Sequence, residues 1–366
     1  MKKIALIVWD MSVLGGINQV ASTLANEFCK KYEVYIVSLV KGRGKACPIL
    51  KPEIKGVTYI IKRECRGREV VTKGKKVLNI FLKENKIDIV FLMGFQVALP
   101  VLLMTYRRKC KYIFCDHEAL MSRWHEKKIT FVRWGAAMMS DKVVTLTYSN
   151  ALDYQKYFCL PKTKVSYIYN SIDDKVLEKA SKCYDKSSKV ILSVGRFSPE
   201  KGYDLLIRIA KVVLGKYPDW KWYIYGDGET FSEIQKDILK NNLQEQVFLK
   251  GEVADVSEIY GQGALFVLTS RREGLPLVLI EAKANSLPCV SFDVVSGPRE
   301  IIRDGVDGVL IQEMDLKEME KAIEMLICNE ALRVEMALRS KENLEQFSKR
   351  KIMEQWDELI ESLTKR

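Results

Sequence analysis

Short apolar runs alternate with amphipathic stretches of ten or more residues along the whole chain. Lys3–Trp9 is an apolar run, and Gly15-Gly16 opens a helix through Lys30. Tyr32–Val40 and Val57–Ile61 read as strands, Glu69–Glu84 as a helix, and Ile87–Met93, Lys111–Cys115 and Val143–Thr147 as further strands with helices between. A polar segment, 171–188, interrupts the pattern, which then restarts. Val190–Val194, Trp222–Tyr225, Val247–Leu249, Leu265–Thr269 and Cys289–Phe292 predict strands. Lys201–Lys216, Phe231–Asn241, Met314–Cys328 and 331–364 predict helices. Short β-rich runs alternating with helices indicate parallel α/β units. The expected fold class is α/β: two parallel-sheet domains, divided near residue 170, with a cleft between them. Ligands of open parallel sheets bind at the carboxyl ends of the strands.

One stretch competes with this pattern. Residues 89–106 carry no charge and approach membrane-spanning length. Gly94, Gln96 and Pro100 interrupt it, so strand, turn and short helix is the expectation. Lys2 and Lys3 precede only a short apolar run closed by Asp10, which does not make a leader.

Composition is that of a globular protein, 48% hydrophobic and 29% charged. Nine cysteines form no C-x-x-C pair, and with two histidines a zinc site is not expected. Scattered free thiols suit a reducing, cytoplasmic setting. Charge changes the picture more. Residues 1–170 hold 30 Lys and Arg against 13 Asp and Glu, a net +17, whereas the remainder is net −5. A basic half beside a mildly acidic one suggests that one domain faces something anionic.

The candidate chemistry centres on Glu273-Gly274-Leu275-Pro276-Leu277-Val278-Leu279-Ile280-Glu281, which follows the strand ending near Thr269. Glu273 falls in the turn after the strand and Glu281 inside the next helix. Eight residues at about 1.5 Å of rise put the acids roughly 12 Å apart, too far to share a proton or to flank one bond as hydrolase carboxylates do. They suit opposite ends of one extended ligand whose anionic middle lies at the helix N-terminus; a nucleotide-sugar has that shape. Pro276 fits the first helical turn. Arg196 and Lys201 flank the loop after Val190–Val194 and would hold a diphosphate, although either reads equally as a solvated cation. Gly226-Asp227-Gly228 and Lys250-Gly251-Glu252 end two neighbouring strands. Gly15-Gly16 would let backbone amides approach a phosphate, or is a tight turn. His117, flanked by Asp116 and Glu118, ends the strand Lys111–Cys115. No Asp-x-Asp pair occurs, so no metal and no other cofactor are expected.

Together these residues resemble family 4 of the retaining glycosyltransferases, and within it the branch making bacterial surface polysaccharides; the resemblance implies the GT-B fold, two Rossmann-like parallel-sheet domains, 1–170 and 171–346, facing across a cleft, with 347–366 as a C-terminal helix. The resemblance runs through Gly15-Gly16, His117, Asn170-Ser-Ile-Asp173, Gly195-Arg196, Glu200-Lys201-Gly202, Gly226-Asp227-Gly228 and the Glu273–Glu281 box. It continues in Ser296–Gly305, Asp307-Gly308 and the final Phe347-Ser348, Trp356 and Leu359. It implies a nucleotide-sugar donor, UDP by family frequency, and a saccharide or lipid-linked saccharide acceptor. Arg196 and Lys201 would bind the diphosphate, Glu281 the ribose and Glu273 the donor sugar. His117 would reach that sugar, and the Gly15 and Gly16 amides would meet phosphate or acceptor. Gly226, Lys250, Gly251, Gly274, Leu275 and Leu277 complete the donor-binding set. Where the family often carries a Gly-Gly pair, this chain reads Ser296-Gly297-Pro298, so the resemblance does not carry a donor sugar. In this fold the last helix crosses back onto the N-domain, which binds the acceptor.

The basic half then has a use. Arg63, Arg66, Arg68, Lys73, Lys75 and Lys76 form one cluster, and Arg107, Arg108, Lys109 and Lys111 another. Trp124, Lys127, Lys128, Phe131, Arg133, Trp134 and Met138 would form an amphipathic helix, docking peripherally on an anionic inner membrane leaflet; ordinary solvated lysine surface is the alternative. Two rival functions remain. A nucleotide-sugar epimerase of the same fold would release free sugar without an acceptor. A nucleic-acid-binding protein would need aromatic platforms among its basic residues or a recognition motif, and neither appears.

Overall fold

The computed structural model describes residues 1–364 except 14, 43, 45–48, 66, 106–109, 173–175, 177–183 and 254–258. Arg66, Arg107, Arg108, Lys109, Asp173, Cys47, Cys183 and most of the 171–188 segment therefore lie outside the described residues. The chain divides into unit 1, Met1–Ile168 with Met353–Arg366, and unit 2, Tyr169–Ile352.

Unit 1 carries β1 (Lys3–Asp10), β2 (Glu33–Val40), β3 (Val57–Ile61), β4 (Ile89–Met93), β5 (Lys111–Asp116), β6 (Lys142–Thr145) and β7 (Val165–Tyr167). They form a parallel sheet of order β3-β2-β1-β4-β5-β6-β7. Its helices are α1 (Gly16–Phe28), α2 (Gly67–Glu84), α3 (Phe95–Met104), α4 (Lys127–Met139) and α5 (Tyr148–Tyr157). The apolar stretch at 89–106 resolves as expected into β4, a left-handed Gly94 (φ +90°) and α3, with Pro100 inside the helix. Among the described residues no helix is long and apolar enough to cross a membrane. Strands buried on both faces explain the continuous apolar runs: Ile4 through Val8 are wholly buried.

Unit 2 carries β8 (Val190–Val194), β9 (Lys221–Tyr225), β10 (Val247–Gly251), β11 (Leu265–Leu268), β12 (Cys289–Asp293) and β13 (Gly308–Gln312). The sheet order is β10-β9-β8-β11-β12-β13. Around it lie α6 (Tyr203–Lys216), α7 (Phe231–Lys240), α8 (Leu277–Ala284), α9 (Pro298–Ile301), α10 (Leu316–Cys328) and α11 (Glu330–Arg339). Trp222 is wholly buried at the centre. Its indole N–H donates to Ser193 Oγ at 3.1 Å, and that hydroxyl donates to the Val267 carbonyl at 2.7 Å, so the core leaves neither group unpaired.

One local expectation is corrected, and two strands are not foreseen by the pattern. Residues 331–364 are not one helix: α11 ends at Arg339, a 3₁₀ turn covers Leu344–Phe347, and α12 spans Lys349–Thr364. Strands β7 and β13 are absent from the periodicity reading: β7 has only three residues, and both are edge strands, β13 with Val309 and Leu310 only half-buried. In α12, Trp356 packs its ring against Phe91 (5.4 Å between centroids) and Phe28 (6.3 Å), and Asp357 accepts a hydrogen bond from Tyr32 Oη at 2.6 Å.

Candidate active site

Each sheet reverses its strand order once, between β1 and β4 in unit 1 and between β8 and β11 in unit 2. Such switch points open a crevice at the strands' carboxyl ends, and the candidate residues collect at both.

In unit 2 the loops after β8 and β11 are stitched together by backbone. Gly202 is left-handed (φ +67°), and a Cβ there would strike the Thr269 carbonyl oxygen. Thr269 Oγ1 donates to the carbonyls of Lys201 (3.2 Å) and Gly202 (3.1 Å). The Arg271 N–H donates to the Glu200 carbonyl at 2.7 Å, while its guanidinium grips both carboxylate oxygens of Asp204 at 2.7 and 2.6 Å. This stitching sets Lys201 Nζ 2.6 Å from Glu273 Oε1. Glu273 is 7% exposed and Lys201 26%, so the carboxylate is held inside while the ammonium still reaches solvent. Behind them Tyr203 Oη donates to the Gly195 carbonyl at 3.0 Å, and burial followed by the Glu273 charge pushes its pKa far up. Arg196 is exposed in the same loop.

Packing requires glycine at Gly226, whereas Gly251 (φ +75°) has open space beside it. Gly226 has φ +138°, a Cβ on it would strike the Gly195 carbonyl, and its N–H donates to the Gly251 carbonyl at 2.9 Å. The Gly226 amide and the Gly251 carbonyl are thus engaged with each other. Lys250 extends over the Tyr223 ring, 4.2 Å from its centroid.

Pro276 caps α8 rather than entering it (φ −73°, ψ 96°), and the helix begins at Leu277. The roughly 12 Å helical spacing is corrected accordingly, because only the steps from Leu277 to Glu281 are helical. The first-turn amides of Leu277 and Val278 have no intrahelical acceptor. Leu275 is buried, Leu277 half-buried, and the Gly274 carbonyl accepts from Ser296 Oγ at 3.3 Å. Gly297 (φ +100°) packs on Gly274 and Pro276. Glu281 is half-buried, and Tyr260 Oη donates to its Oε2 at 2.7 Å. Burial, then the Glu281 charge, raises the Tyr260 pKa well above the ordinary value, which keeps it a donor. Nothing in the sequence marks Tyr260; it reaches Glu281 from the segment before β11.

In unit 1 a cavity of about 410 Å³ opens at the switch point. Trp9, Asp10, Gly15 and Gly16 line it from the end of β1, Gly94 and Phe95 from β4, and Asp116, His117 and Glu118 from β5. Gly15 and Gly16 are exposed, and a Cβ on either would meet nothing within 4 Å, so packing does not require glycine there. Both His117 ring nitrogens are buried without a protein partner, and burial lowers its pKa to about 4. The ring is neutral at pH 7, with one donor and one acceptor to offer.

Arg133 fixes this loop and corrects one expectation. Expected on the surface of an amphipathic helix, it is wholly buried. Its Nε lies 3.2 Å from Asp116 Oδ2 and its Nη2 2.9 Å from Glu118 Oε2. Tyr154 Oη donates to Asp116 Oδ2 at 2.6 Å. Burial pushes both carboxyls up, and Arg133 opposes that. Helical spacing could have placed it: Phe131, Trp134 and Met138 share one face, and Arg133, two positions past Phe131, falls opposite. Trp124 precedes α4 and packs on Tyr157, with ring centroids 5.0 Å apart. Exposed on α4 are Lys127, Lys128, Phe131, Trp134, Met138 and Met139.

Two Rossmann-like parallel-sheet domains, each with its candidate residues at the switch point, define a GT-B glycosyltransferase. The Glycosyltransferase Family 4 model matches residues 14–176, and the Glycosyl transferases group 1 model residues 175–343. The chain belongs to the GT4-type glycosyltransferases. It is 27% identical to the amylovoran biosynthesis glycosyltransferase AmsD of Erwinia amylovora, over 98% of this chain and 100% of that one. It is 26% identical to a Campylobacter jejuni alpha-1,4-N-acetyl-D-galactosaminyltransferase whose name carries a diNAcBac-PP-undecaprenol saccharide, over 98% of each chain. Staphylococcus aureus TarM, solved with UDP and alpha-GlcNAc-glycerol, superposes with a TM-score of 0.83 over 100% of both chains at 19% identity, a likeness of fold.

Proposed function

We propose that this glycosyltransferase moves a sugar, with retention, from a UDP-sugar to a lipid-linked saccharide in bacterial surface-polysaccharide synthesis, without a metal. The 2.6 Å pair of Lys201 and Glu273 at the unit 2 switch point carries the reading. Lys201 and Arg196 bind the diphosphate together with the first-turn amides of α8. Glu281, oriented by Tyr260, takes the ribose hydroxyls. Glu273 accepts from hydroxyls of the donor sugar, and pairing with it holds Lys201 in place before the donor arrives. At the unit 1 switch point the neutral His117 ring suits a sugar hydroxyl, and the Gly15 and Gly16 amides suit a phosphate or the acceptor. The sugar C1–O bond to phosphate breaks as the acceptor oxygen bonds C1 on the same face. The departing phosphate oxygen takes the acceptor's proton, and Lys201 and Arg196 stabilise the charge that grows there. Support for the acceptor and pathway comes from the undecaprenol- and amylovoran-related relatives, and for UDP from the ligand of the structural neighbour. The exposed aromatic and lysine face of α4 supports peripheral docking on an anionic cytoplasmic leaflet.

The test is a panel of nucleotide-sugars with lipid-linked acceptors, read by nucleotide release with and without EDTA. UDP release that depends on acceptor and is indifferent to EDTA is expected. Acceptor-independent release of an epimerised sugar supports the epimerase instead, and loss of activity in EDTA ends the metal-free reading.

A further inference from the structure

Helix α8 carries Glu281, yet its apolar packing does not decide which way that acid points. Its residues are Leu-Val-Leu-Ile-Glu-Ala-Lys-Ala, apolar all round apart from Glu281 and Lys283. Apolar contacts are non-directional, so they seat a helix of about two turns without fixing its rotation. The two charged residues stand two positions apart, about 200° around the axis, and leave from opposite faces. Glu281 meets Tyr260 on one side. Lys283, wholly buried, meets three acceptors on the other: the Ile301 carbonyl at 2.6 Å, Asn343 Oδ1 at 2.8 Å and Asp307 Oδ2 at 3.0 Å. Three acceptors match the three N–H donors of an ammonium.

The wall that receives the ammonium is held together without it. Arg303 donates to Asp307 from its backbone N–H (3.0 Å) and its Nε (2.6 Å). Its other guanidinium nitrogens donate to Glu342 (2.8 Å) and to the Arg339 carbonyl (2.9 Å). Asn343 Nδ2 donates to the same Ile301 carbonyl at 3.1 Å. Removing the ammonium therefore leaves both Asp307 and the Ile301 carbonyl paired. Burying a lysine is costly, and an apolar side chain of similar volume in its place is often neutral or stabilising. What the ammonium adds is the tie between this wall and α8. The wall also meets the start of α8, because Ile301 ends α9 and Gly297, just before α9, packs on Gly274 and Pro276.

We infer that Lys283 is a positioning residue for the donor site: it fixes the rotation of α8 and so aims Glu281 at the ribose; this rests on the reading of Glu281 given above. Helix backbone lies about 2.3 Å from the axis and side-chain ends about 5 Å from it, so a rotation moves the Glu281 carboxylate roughly twice as far as the first-turn amides. Lys283 therefore governs the ribose end of the donor more than the diphosphate, and does so without touching either.

The test is calorimetric titration of the full chain with UDP, GDP and ADP, beside steady-state kinetics with the donor that turns over. Lys283→Met keeps the apolar stem and loses the N–H donors. It should raise the Kd of the tightest-binding nucleotide and the donor KM about tenfold, with kcat within about twofold of wild type. Its thermal unfolding midpoint should stay within about 3 °C of wild type. Added to Glu281→Gln, Lys283→Met should weaken binding by less than about threefold more, because the group it aims is already impaired. Wild-type affinity in Lys283→Met, a loss in kcat in place of KM, a larger fall in the midpoint, or the same loss in the Glu281→Gln background overturns the inference. If the wild type binds none of the nucleotides, the reading of Glu281 falls and takes this inference with it. If Glu281→Gln weakens binding and Lys283→Met does not, the reading of Glu281 stands and only the positioning role falls.

Discussion

His117 shows what a single residue's surroundings decide. Its ordinary pKa of 6.5 falls to about 4 because burial disfavours the charged ring and no carboxylate partner offsets it. A folded-state pKa below the unfolded one means that the unfolded chain binds the extra proton first. The contribution of His117 to stability is therefore intact above pH 6.5 and is lost as pH falls from 6.5 toward 4. The loss approaches about 3 kcal/mol if the whole shift is realised. Urea titrations across that range should show a stability slope that His117→Gln reduces; an unchanged slope would place the ring in water. Other roles at this scale were only partly legible. Glu273, Glu281 and Lys201 stood out because each is a charged residue at a strand end or in an apolar helix. Their partners did not: the Lys201–Glu273 pair joins loops 72 residues apart in sequence, and Tyr260 meets Glu281 only because the sheet order brings the segment before β11 beside α8.

Elements were legible where they were long and strongly patterned. β1, β4, α6 and α10 follow directly from apolar runs and helical spacing, whereas β7, β13 and the break after Arg339 depend on tertiary contacts that leave little local trace. Helix α4 illustrates a face that the sequence assigned well apart from Arg133 and Trp124. Its outward side keeps Phe131, at 64% exposed, and Trp134, with ring centroids 5.7 Å apart, beside Lys127 and Lys128. Lysines draw such a helix to an anionic surface at about 1 kcal/mol each, and the aromatic pair adds apolar burial. Sedimentation with vesicles containing anionic lipid should pull down the wild type. Lys127→Glu with Lys128→Glu should weaken that at least tenfold, and Phe131→Ser with Trp134→Ser should weaken it further. Equal binding to neutral vesicles would contradict the electrostatic part.

The whole molecule divides its labour between two Rossmann-like units whose charge differs in sign. Unit 2 concentrates a lysine, two acids and a helix start at one switch point. Unit 1 gathers Asp10, Asp116, His117 and Glu118 around the cavity at its own switch point, within a lysine-rich half. The central claim is that Glu281 and Glu273 act on different parts of one donor, and steady-state kinetics of Glu281→Gln and Glu273→Gln with the turned-over donor test it most directly. Glu281→Gln should raise the donor KM about tenfold with kcat nearly unchanged, as loss of a charged hydrogen bond to the ribose requires. Glu273→Gln should lower kcat by about 10²-fold or more at similar KM, since Glu273 holds Lys201 and is proposed to contact the reacting sugar. Wild-type kinetics in both variants, or the same KM effect in each, would contradict the account.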